Sequence, residues 1–138
     1  MADTGRIPGI LLTSVMVHSP GFLKLVNEAR ANVREIAVDE AKDRLNRNQA
    51  ALLIDVREDD EWRAGRAAAA LHIGKGVFER DLEKAAPDPD TELLLYCGGG
   101  YRSVLAADAA RRMGYSRVFS ILGGYKAMVI EGWPMSAG

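Results

Sequence analysis

The sequence contains few of the residues that build metal sites and disulfides. Its 138 residues include one cysteine and two histidines. A single cysteine cannot form an internal disulfide, and together with two histidines it supplies too few ligands for a typical zinc site. We therefore predict no metal, and the thiol of Cys97 must be either structural or reactive.

The sequence also lacks an excess of charge and a long apolar run. Charged residues make up 27% of the chain and the net charge is −1, so no global basic field exists to attract nucleic acid or an anionic membrane. The apolar stretch 7–17 is interrupted by Pro8 and Gly9, has no signal-peptide cleavage pattern, and is shorter than the roughly 20 residues that span a bilayer. We expect no nucleic-acid or membrane partner, and a cytoplasmic location, where thiols stay reduced.

The chain does contain a regular alternation of strand and helix patterns. Short apolar runs near residues 35–38, 51–54, 71–73, 93–96 and 117–122 predict five strands, with helical periodicity between them. This alternation predicts one α/β domain, in which helices cover both faces of a mostly parallel sheet and ligands bind beyond the carboxyl ends of the strands.

The first part of the chain is expected to differ from the rest. Residues 1–34 predict an N-terminal arm followed by a helix that begins at Ser19 and Pro20, and residues 35–138 predict the sheet domain. The arm carries apolar side chains, which could cover this domain or form a homodimer contact.

The most informative stretch surrounds the cysteine. The apolar strand 93–96 stops at Cys97, and three glycines follow at 98–100, which lets the backbone curl with its N–H groups pointing inward. A helix then runs to Met113, so its N-terminus adds partial positive charge and Arg102 adds a full one. This field favours the thiolate, the form that attacks sulfur, and we predict that Cys97 is reactive.

Other polar residues near strand ends have more ordinary predicted roles. Arg57 and Glu61, four residues apart, are expected to form a structural ion pair, and Asp55 is expected to cap or pair near Arg57. His72 is expected to be a partly buried structural histidine. Tyr101 could form a pocket wall or face solvent.

Three separated stretches together resemble the single-domain rhodanese family of sulfurtransferases over residues 35–135. The cysteine loop, C-x-x-G-x-R-S, is the most specific of them. The stretches are Asp55-Val56-Arg57-Glu58 with Glu61-Trp62 and Gly65, then Cys97 to Ser103, then Leu122-Gly123-Gly124 with Gly132-Trp133-Pro134. The chain departs from many members at Gly65-Arg66-Ala67, Ala69-Ala70 and His72-Ile73-Gly74, away from the cysteine loop.

The resemblance implies a rhodanese-like three-layer fold with a five-stranded sheet. It also implies that Cys97 accepts a sulfane sulfur from thiosulfate or a persulfide donor and passes it to cyanide or a thiol, with Arg102 steering the anionic donor. The only carrier would be the covalent cysteine persulfide, so no cofactor is expected. The residues expected to bind the transferred group are Gly98, Gly99, Gly100, Tyr101 and Ser103.

Two other functions remain alternatives at this point. A rhodanese-like module could use an oxidised or persulfidated Cys97 as a signal, with turnover incidental. Cysteine-dependent phosphatases and arsenate reductases are the chemical rivals, but they space cysteine and arginine as C-x5-R, whereas Cys97 and Arg102 are spaced as C-x4-R. The shorter loop makes a tighter cradle, which favours one sulfur atom over phosphate. The sequence leaves the physiological donor, the acceptor and the oligomeric state open.

Overall fold

A computed structural model describes residues 18–137. Five parallel strands form the central sheet: β1 (Arg34–Ile36), β2 (Leu52–Asp55), β4 (Leu71–His72), β5 (Leu93–Tyr96) and β6 (Val118–Ile121). Across the sheet they lie in the order β1, β6, β5, β2, β4. The predicted α/β fold with a five-stranded sheet is confirmed.

Six α-helices accompany the sheet within the described residues. They are α1 (Pro20–Arg30), α2 (Val38–Arg47), α3 (Asp59–Ala64), α4 (Phe78–Ala85), α5 (Arg102–Arg112) and α6 (Gly124–Ile130), with a short 3-10 helix at Lys75–Val77. None of the helices described between residues 18 and 137 is both long and apolar enough to cross a membrane.

Strand β5 lies at the centre of the core because all four of its side chains are apolar and buried. Successive side chains of a strand point to opposite faces, so Leu93 and Leu95 pack on one side and Leu94 and Tyr96 on the other. The first side is filled from α4 and α5, for example by Phe78. This arrangement buries the strand on both faces and brings its carboxyl end, Cys97, to the edge where ligands bind in parallel sheets.

Helix α1 lies outside this sandwich and packs on α5. Its residues Val26 and Ala29 form a small buried cluster with Val104 of α5, and Phe22 and Tyr101 pack against the cluster. The predicted arm spans residues 1 to about 19, and its residues 1–17 lie outside the described residues, so the homodimer contact and the boundary at residue 34 stay predictions.

One element of the fold has no signal in the sequence pattern. Strands β3 (Arg66–Ala67) and β7 (Met135–Ser136) form a separate two-stranded antiparallel sheet. Two-residue strands are too short to show alternation, and β3 begins an alanine-rich stretch in which no periodicity can be recognised. This small sheet ties the end of the chain to the segment after α3.

Candidate active site

The sulfur of Cys97 lies at the carboxyl end of β5 and accepts hydrogen bonds from the loop that follows. The backbone N–H groups of Gly100 and Ser103 donate to Sγ, with N to Sγ distances of 3.2 and 3.4 Å. The Ser103 hydroxyl lies 3.4 Å from the same sulfur. Since Ser103 lies in the first turn of α5, the sulfur takes the place of a helix-capping oxygen. An anion at Sγ is therefore stabilised by the backbone.

Close contact with α6 fixes the shape of this loop. The N–H groups of Tyr125 and Lys126 donate to the carbonyl oxygens of Cys97 and Gly98, at 2.7 and 3.2 Å. Gly124 directly precedes these two residues and has a φ of +56°. A Cβ atom at this position would overlap the carbonyl oxygen of Cys97. The glycine at position 124, the first residue of α6, is thus required by the close approach of this helix to the cysteine loop.

A second hydroxyl stands behind Ser103. The Oγ atoms of Ser103 and Ser120 are 2.8 Å apart, and both residues are fully buried. A thiolate can only accept, so with Cys97 ionised the Ser103 hydroxyl donates to sulfur and accepts from Ser120. Sequence reasoning missed Ser120, although a serine inside the buried strand Val118–Ile121 is a signal that a buried hydrogen-bond partner exists.

Arg102 forms an ion pair with Glu61 of α3, a partner that the sequence analysis did not suggest. Its Nη1 and Nη2 atoms donate to the two carboxylate oxygens of Glu61, at 2.8 and 3.1 Å. The hydrogen bond from Arg102 is the main reason that the pKa of Glu61 falls to about 2. Glu61 also accepts from the Glu58 N–H in a capping box at the start of α3. The guanidinium lies over the loop, since a Cβ at Gly98 would come within 3.1 Å of Nη2.

The predicted ion pair between Arg57 and Glu61 is therefore wrong. Arg57 binds Asp55 instead, with Nη2 and Oδ2 2.7 Å apart, and it also donates to the Gly65 carbonyl. The spacing rule of four residues applies within a helix, but α3 begins only at Asp59, so Arg57 lies before the helix. The predicted pairing of Asp55 near Arg57 agrees with this geometry.

A cavity of about 830 Å³ opens beside the sulfur. Cys97, Gly98, Gly99, Tyr101 and Arg102 all line it, so the structure brings most of the sequence-predicted site residues together. Tyr101 therefore lies in the pocket wall. Further lining residues that the sequence did not suggest are His18, Ser19, Phe22, Glu61, Gly123 and Lys126.

His72 lies away from this cavity. Its ring stacks on Trp62 at a centroid distance of 4.8 Å, and Nε2 is 2.9 Å from the Arg57 carbonyl oxygen. Across residues 18–137, no three side chains of His, Cys, Asp and Glu converge as metal ligands would.

The sequence of this chain is similar to a known protein family and to individual members of it. The family model for a rhodanese-like domain matches residues 37–131. "Putative sulfurtransferase YtwF" of Bacillus subtilis is 30% identical over 95 residues, which are 69% of this chain and 89% of that protein. The chain spans about half, 53%, of "Putative sulfur carrier protein YrkF" from the same organism, to which it is 23% identical over 72% of its own length.

Solved structures share the fold. The polysulfide-sulfur transferase homodimer of Wolinella succinogenes is 28% identical, with a TM-score of 0.74 over 86% of this chain and 88% of that one. A Rhodopseudomonas palustris protein of unknown function, called a possible tyrosine phosphatase, is 27% identical, with a TM-score of 0.72 over 88% of this chain and 98% of that one.

The family match takes in the Asp55–Arg57 pair, the cysteine loop with its hydrogen-bonded sulfur, and the glycines that hold α6 against it. The chain therefore belongs to the rhodanese-like domain family, whose relatives here include sulfurtransferases and a sulfur carrier.

Proposed function

We propose that this protein is a sulfurtransferase that carries a sulfane sulfur as a persulfide on Cys97. The observation that carries the proposal is the set of donors on Sγ, two backbone N–H groups and one hydroxyl, in a residue that lines a cavity. These fixed donors favour negative charge on sulfur without a general base or a cofactor.

The first step is attack by the Cys97 thiolate on the outer sulfur of the donor. With thiosulfate, a bond forms between Sγ and the outer sulfur while the original sulfur–sulfur bond breaks, and sulfite leaves with the electron pair. The enzyme then holds Cys97–S–S⁻. The same N–H groups of Gly100 and Ser103 are positioned to stabilise this group. In the second step cyanide or a thiolate attacks the outer sulfur and the Cys97 thiolate leaves.

Arg102 contributes less free charge to this reaction than the sequence suggested. Both Nη atoms of Arg102 donate to the carboxylate of Glu61, so the pair as a whole carries almost no net charge. The hydrogen bond that Arg102 donates to Glu61 is also the main reason that the pKa of Arg102 is raised, with the charge at Cys97 adding to it. We therefore assign to Arg102 a role in shaping the loop around the persulfide, and a smaller role in attracting an anionic donor.

Two features of the site speak against the phosphatase chemistry suggested for the Rhodopseudomonas palustris neighbour. The spacing of Cys97 and Arg102 leaves a loop one residue shorter than the phosphate-binding loops of cysteine phosphatases. Asp55, the acid at the end of the neighbouring strand, is fully buried and held by Arg57, so it cannot act as the general acid for a leaving group.

The test is sulfur loading followed by discharge. Purified protein incubated with thiosulfate should gain the mass of one sulfur atom and release one equivalent of sulfite. Cyanide or a thiol should then remove the added mass. Cys97→Ser is the matched control because it keeps the side chain's size and removes the sulfur nucleophile, and it should gain nothing.

Each other outcome identifies a different function. Sulfur addition on Cys97→Ser, or none on the native chain with any donor, would refute the proposal. A persulfide that forms but resists every acceptor would favour the sensing module. Turnover of an aryl phosphate without reaction with sulfur donors would favour the phosphatase. The expected cytoplasmic location belongs to this proposal, since the reaction needs Cys97 reduced at the start of each cycle.

A further inference from the structure

The cavity beside Cys97 is larger than an inorganic sulfur donor requires. Its volume, about 830 Å³, is in the range of about 300–1,000 Å³ that binds small organic molecules in proteins. Thiosulfate is a compact anion and would fill a small part of it. The remaining space must therefore be filled by water or by another part of a larger donor.

Part of the cavity wall is aromatic. The rings of His18 and Tyr101 have centroids 4.3 Å apart, and Phe22 lies 5.2 Å from His18 and 6.4 Å from Tyr101. Phe22 belongs to α1 and His18 lies two residues before this helix, and both lie outside the residues 37–131 that match the family model. This part of the pocket is therefore supplied by α1 and the residues just before it.

The charges around the cavity suit a donor with little negative charge. Arg102 is ion-paired with Glu61, which itself lines the cavity, so this pair adds little net charge. Among the described lining residues, Lys126 is the other permanent cation, and it is exposed. Because the pair leaves little net positive charge, a doubly charged inorganic anion gains less from this site, relative to the hydration it gives up, than a singly charged donor does.

We propose that the physiological sulfur donor is a small organic sulfane-sulfur compound with an apolar, ring-sized body. This inference rests on the proposed function. The body packs against Phe22 and Tyr101, and the singly charged sulfane end reaches Cys97. For a thiosulfonate, R–SO2–S⁻, the Cys97 thiolate bonds to the terminal sulfur, the sulfur–sulfur bond breaks, and the sulfinate R–SO2⁻ leaves with the electron pair.

Two thiosulfonates that differ only in the body provide the test. Benzenethiosulfonate and methanethiosulfonate have the same reacting group and the same charge, so the ratio of their kcat/KM values reports recognition of the ring together with a fixed difference in reactivity. Phe22→Ala should lower this ratio about five- to tenfold, because aromatic contacts contribute about 0.5–1.5 kcal/mol beyond the apolar area they bury. Phe22→Leu, which keeps apolar bulk, should lower it less.

Leu25→Ala is the control for effects on the helix. Leu25 lies on α1, is 57% exposed and does not line the cavity, so its removal should leave the ratio unchanged. A second measurement uses the native chain alone: in a single turnover, benzenesulfinate should slow sulfite release from thiosulfate at a concentration about tenfold below that of methanesulfinate. The initial rate of sulfite release is measured, because a sulfinate can also remove the bound sulfur by the reverse of the step above.

The possible failures can be told apart. If all three donors load Cys97 but Phe22→Ala leaves the ratio unchanged, or the two sulfinates compete equally, the organic-donor inference is wrong while the sulfurtransferase function stands. If no donor loads Cys97, the proposed function fails and this inference fails with it. A sulfur taken up only from a protein persulfide would also overturn it, since the site would then serve a macromolecular donor.

Discussion

Strand β5 is flanked at each end by a buried side chain with hydrogen-bond donors around it, and the donors at the two ends differ in kind. Glu92 precedes the strand and is 3% exposed, while Cys97 follows it and is 1% exposed. The carboxylate accepts from Arg44, Asn48 and Arg117, at distances of 2.9 to 3.1 Å. Burial alone would raise the pKa of Glu92, but the hydrogen bonds from Asn48 and Arg44 outweigh it and the pKa is lowered.

At the other end of the strand the partners are neutral. Cys97 is held by two backbone N–H groups and a hydroxyl, and the nearest arginine is engaged by Glu61. A structural charge such as Glu92 has cationic partners on both of its oxygens. For the reaction that we propose, fixed dipoles suit the Cys97 sulfur better, because they stabilise negative charge on the thiolate and then on the persulfide without blocking the cavity. We therefore expect changes around Glu92 to affect the stability of the protein, and changes around Cys97 to affect the reaction.

The largest expected effect comes from disturbing the backbone at the Cys97 end. Gly124→Ala places a methyl group on the Cys97 carbonyl oxygen at a position with a φ of +56°. We expect a loss of about 3 kcal/mol in the free energy of unfolding, together with loss of sulfur loading in the protein that remains folded. Urea denaturation and intact mass measure the two effects.

Gly76→Ala is the matched control for this change. A Cβ at Gly76 meets no atom within 4 Å, and the residue lies outside the active site. Its stability should change by less than about 0.5 kcal/mol and its loading rate should not change. Normal loading in Gly124→Ala would show that the loop does not depend on its contact with α6.

Removing charge at the Glu92 end should affect stability alone. Glu92→Gln keeps the shape but removes the buried carboxylate that Arg44 and Arg117 share, and we expect a loss of about 2 kcal/mol in the free energy of unfolding. Sulfur transfer per folded molecule should be unchanged. Glu40→Gln, which removes an exposed partner of the same Arg44, should cost less than about 0.5 kcal/mol. A slower transfer in Glu92→Gln would mean that the two ends of β5 are coupled.

A smaller effect, on the reaction and not on stability, is expected from a change near Cys97. Ser120→Ala removes the hydroxyl that donates to Ser103, and thereby weakens the hydrogen bond from Ser103 to the Cys97 thiolate. We expect about 1 kcal/mol of lost stabilisation of the anion, hence a roughly fivefold slower reaction with thiosulfate at neutral pH. Single-turnover sulfite release measures it. Ser116→Ala, at an exposed serine near the start of the same strand, should react at the native rate.

The cysteine loop could be predicted from the sequence, whereas the residues that contact it could not. The cysteine loop is contiguous, so its glycines, Arg102 and the following helix could be recognised from residue order, and the apolar run 93–96 was enough to place the loop at the edge of a sheet. The partners of the loop come from elsewhere. Glu61 is 41 residues from Arg102, and Ser120 is 17 residues from Ser103.

Such contacts depend on the order of the strands, which a single sequence does not specify. Arg57 had two acidic candidates, Asp55 and Glu61, and only the start of α3 at Asp59 decides between them. The aromatic wall has no local signal either, because Phe22 shows the spacing of an ordinary packed helix. Its place beside Cys97 follows from the packing of α1 on α5.

The smallest predicted effect is on the pH dependence of stability in acid. Glu61 has its pKa lowered to about 2, chiefly by the hydrogen bond from Arg102. A carboxyl group whose pKa is lower in the folded state stabilises the protein above its unfolded pKa, about 4.3, and this stabilisation disappears as the pH falls toward 2. We therefore expect native protein and Glu61→Gln to differ most in unfolding free energy at pH 5 and above, and to converge between about pH 4 and pH 2.

The same variant tests whether the pairing tunes the active site. Without the Glu61 carboxylate, Arg102 regains its free charge beside the loop, so the KM for thiosulfate should fall relative to that for methanethiosulfonate, which has one charge fewer. Glu58→Gln is the appropriate control, because it neutralises a neighbouring carboxylate that does not pair with Arg102. A KM that rises for both donors would show instead that Glu61 holds Arg102 in a productive position. The cationic partner at the Cys97 end would then be as necessary as those around Glu92, and the contrast between the two ends of β5 would be one of geometry alone.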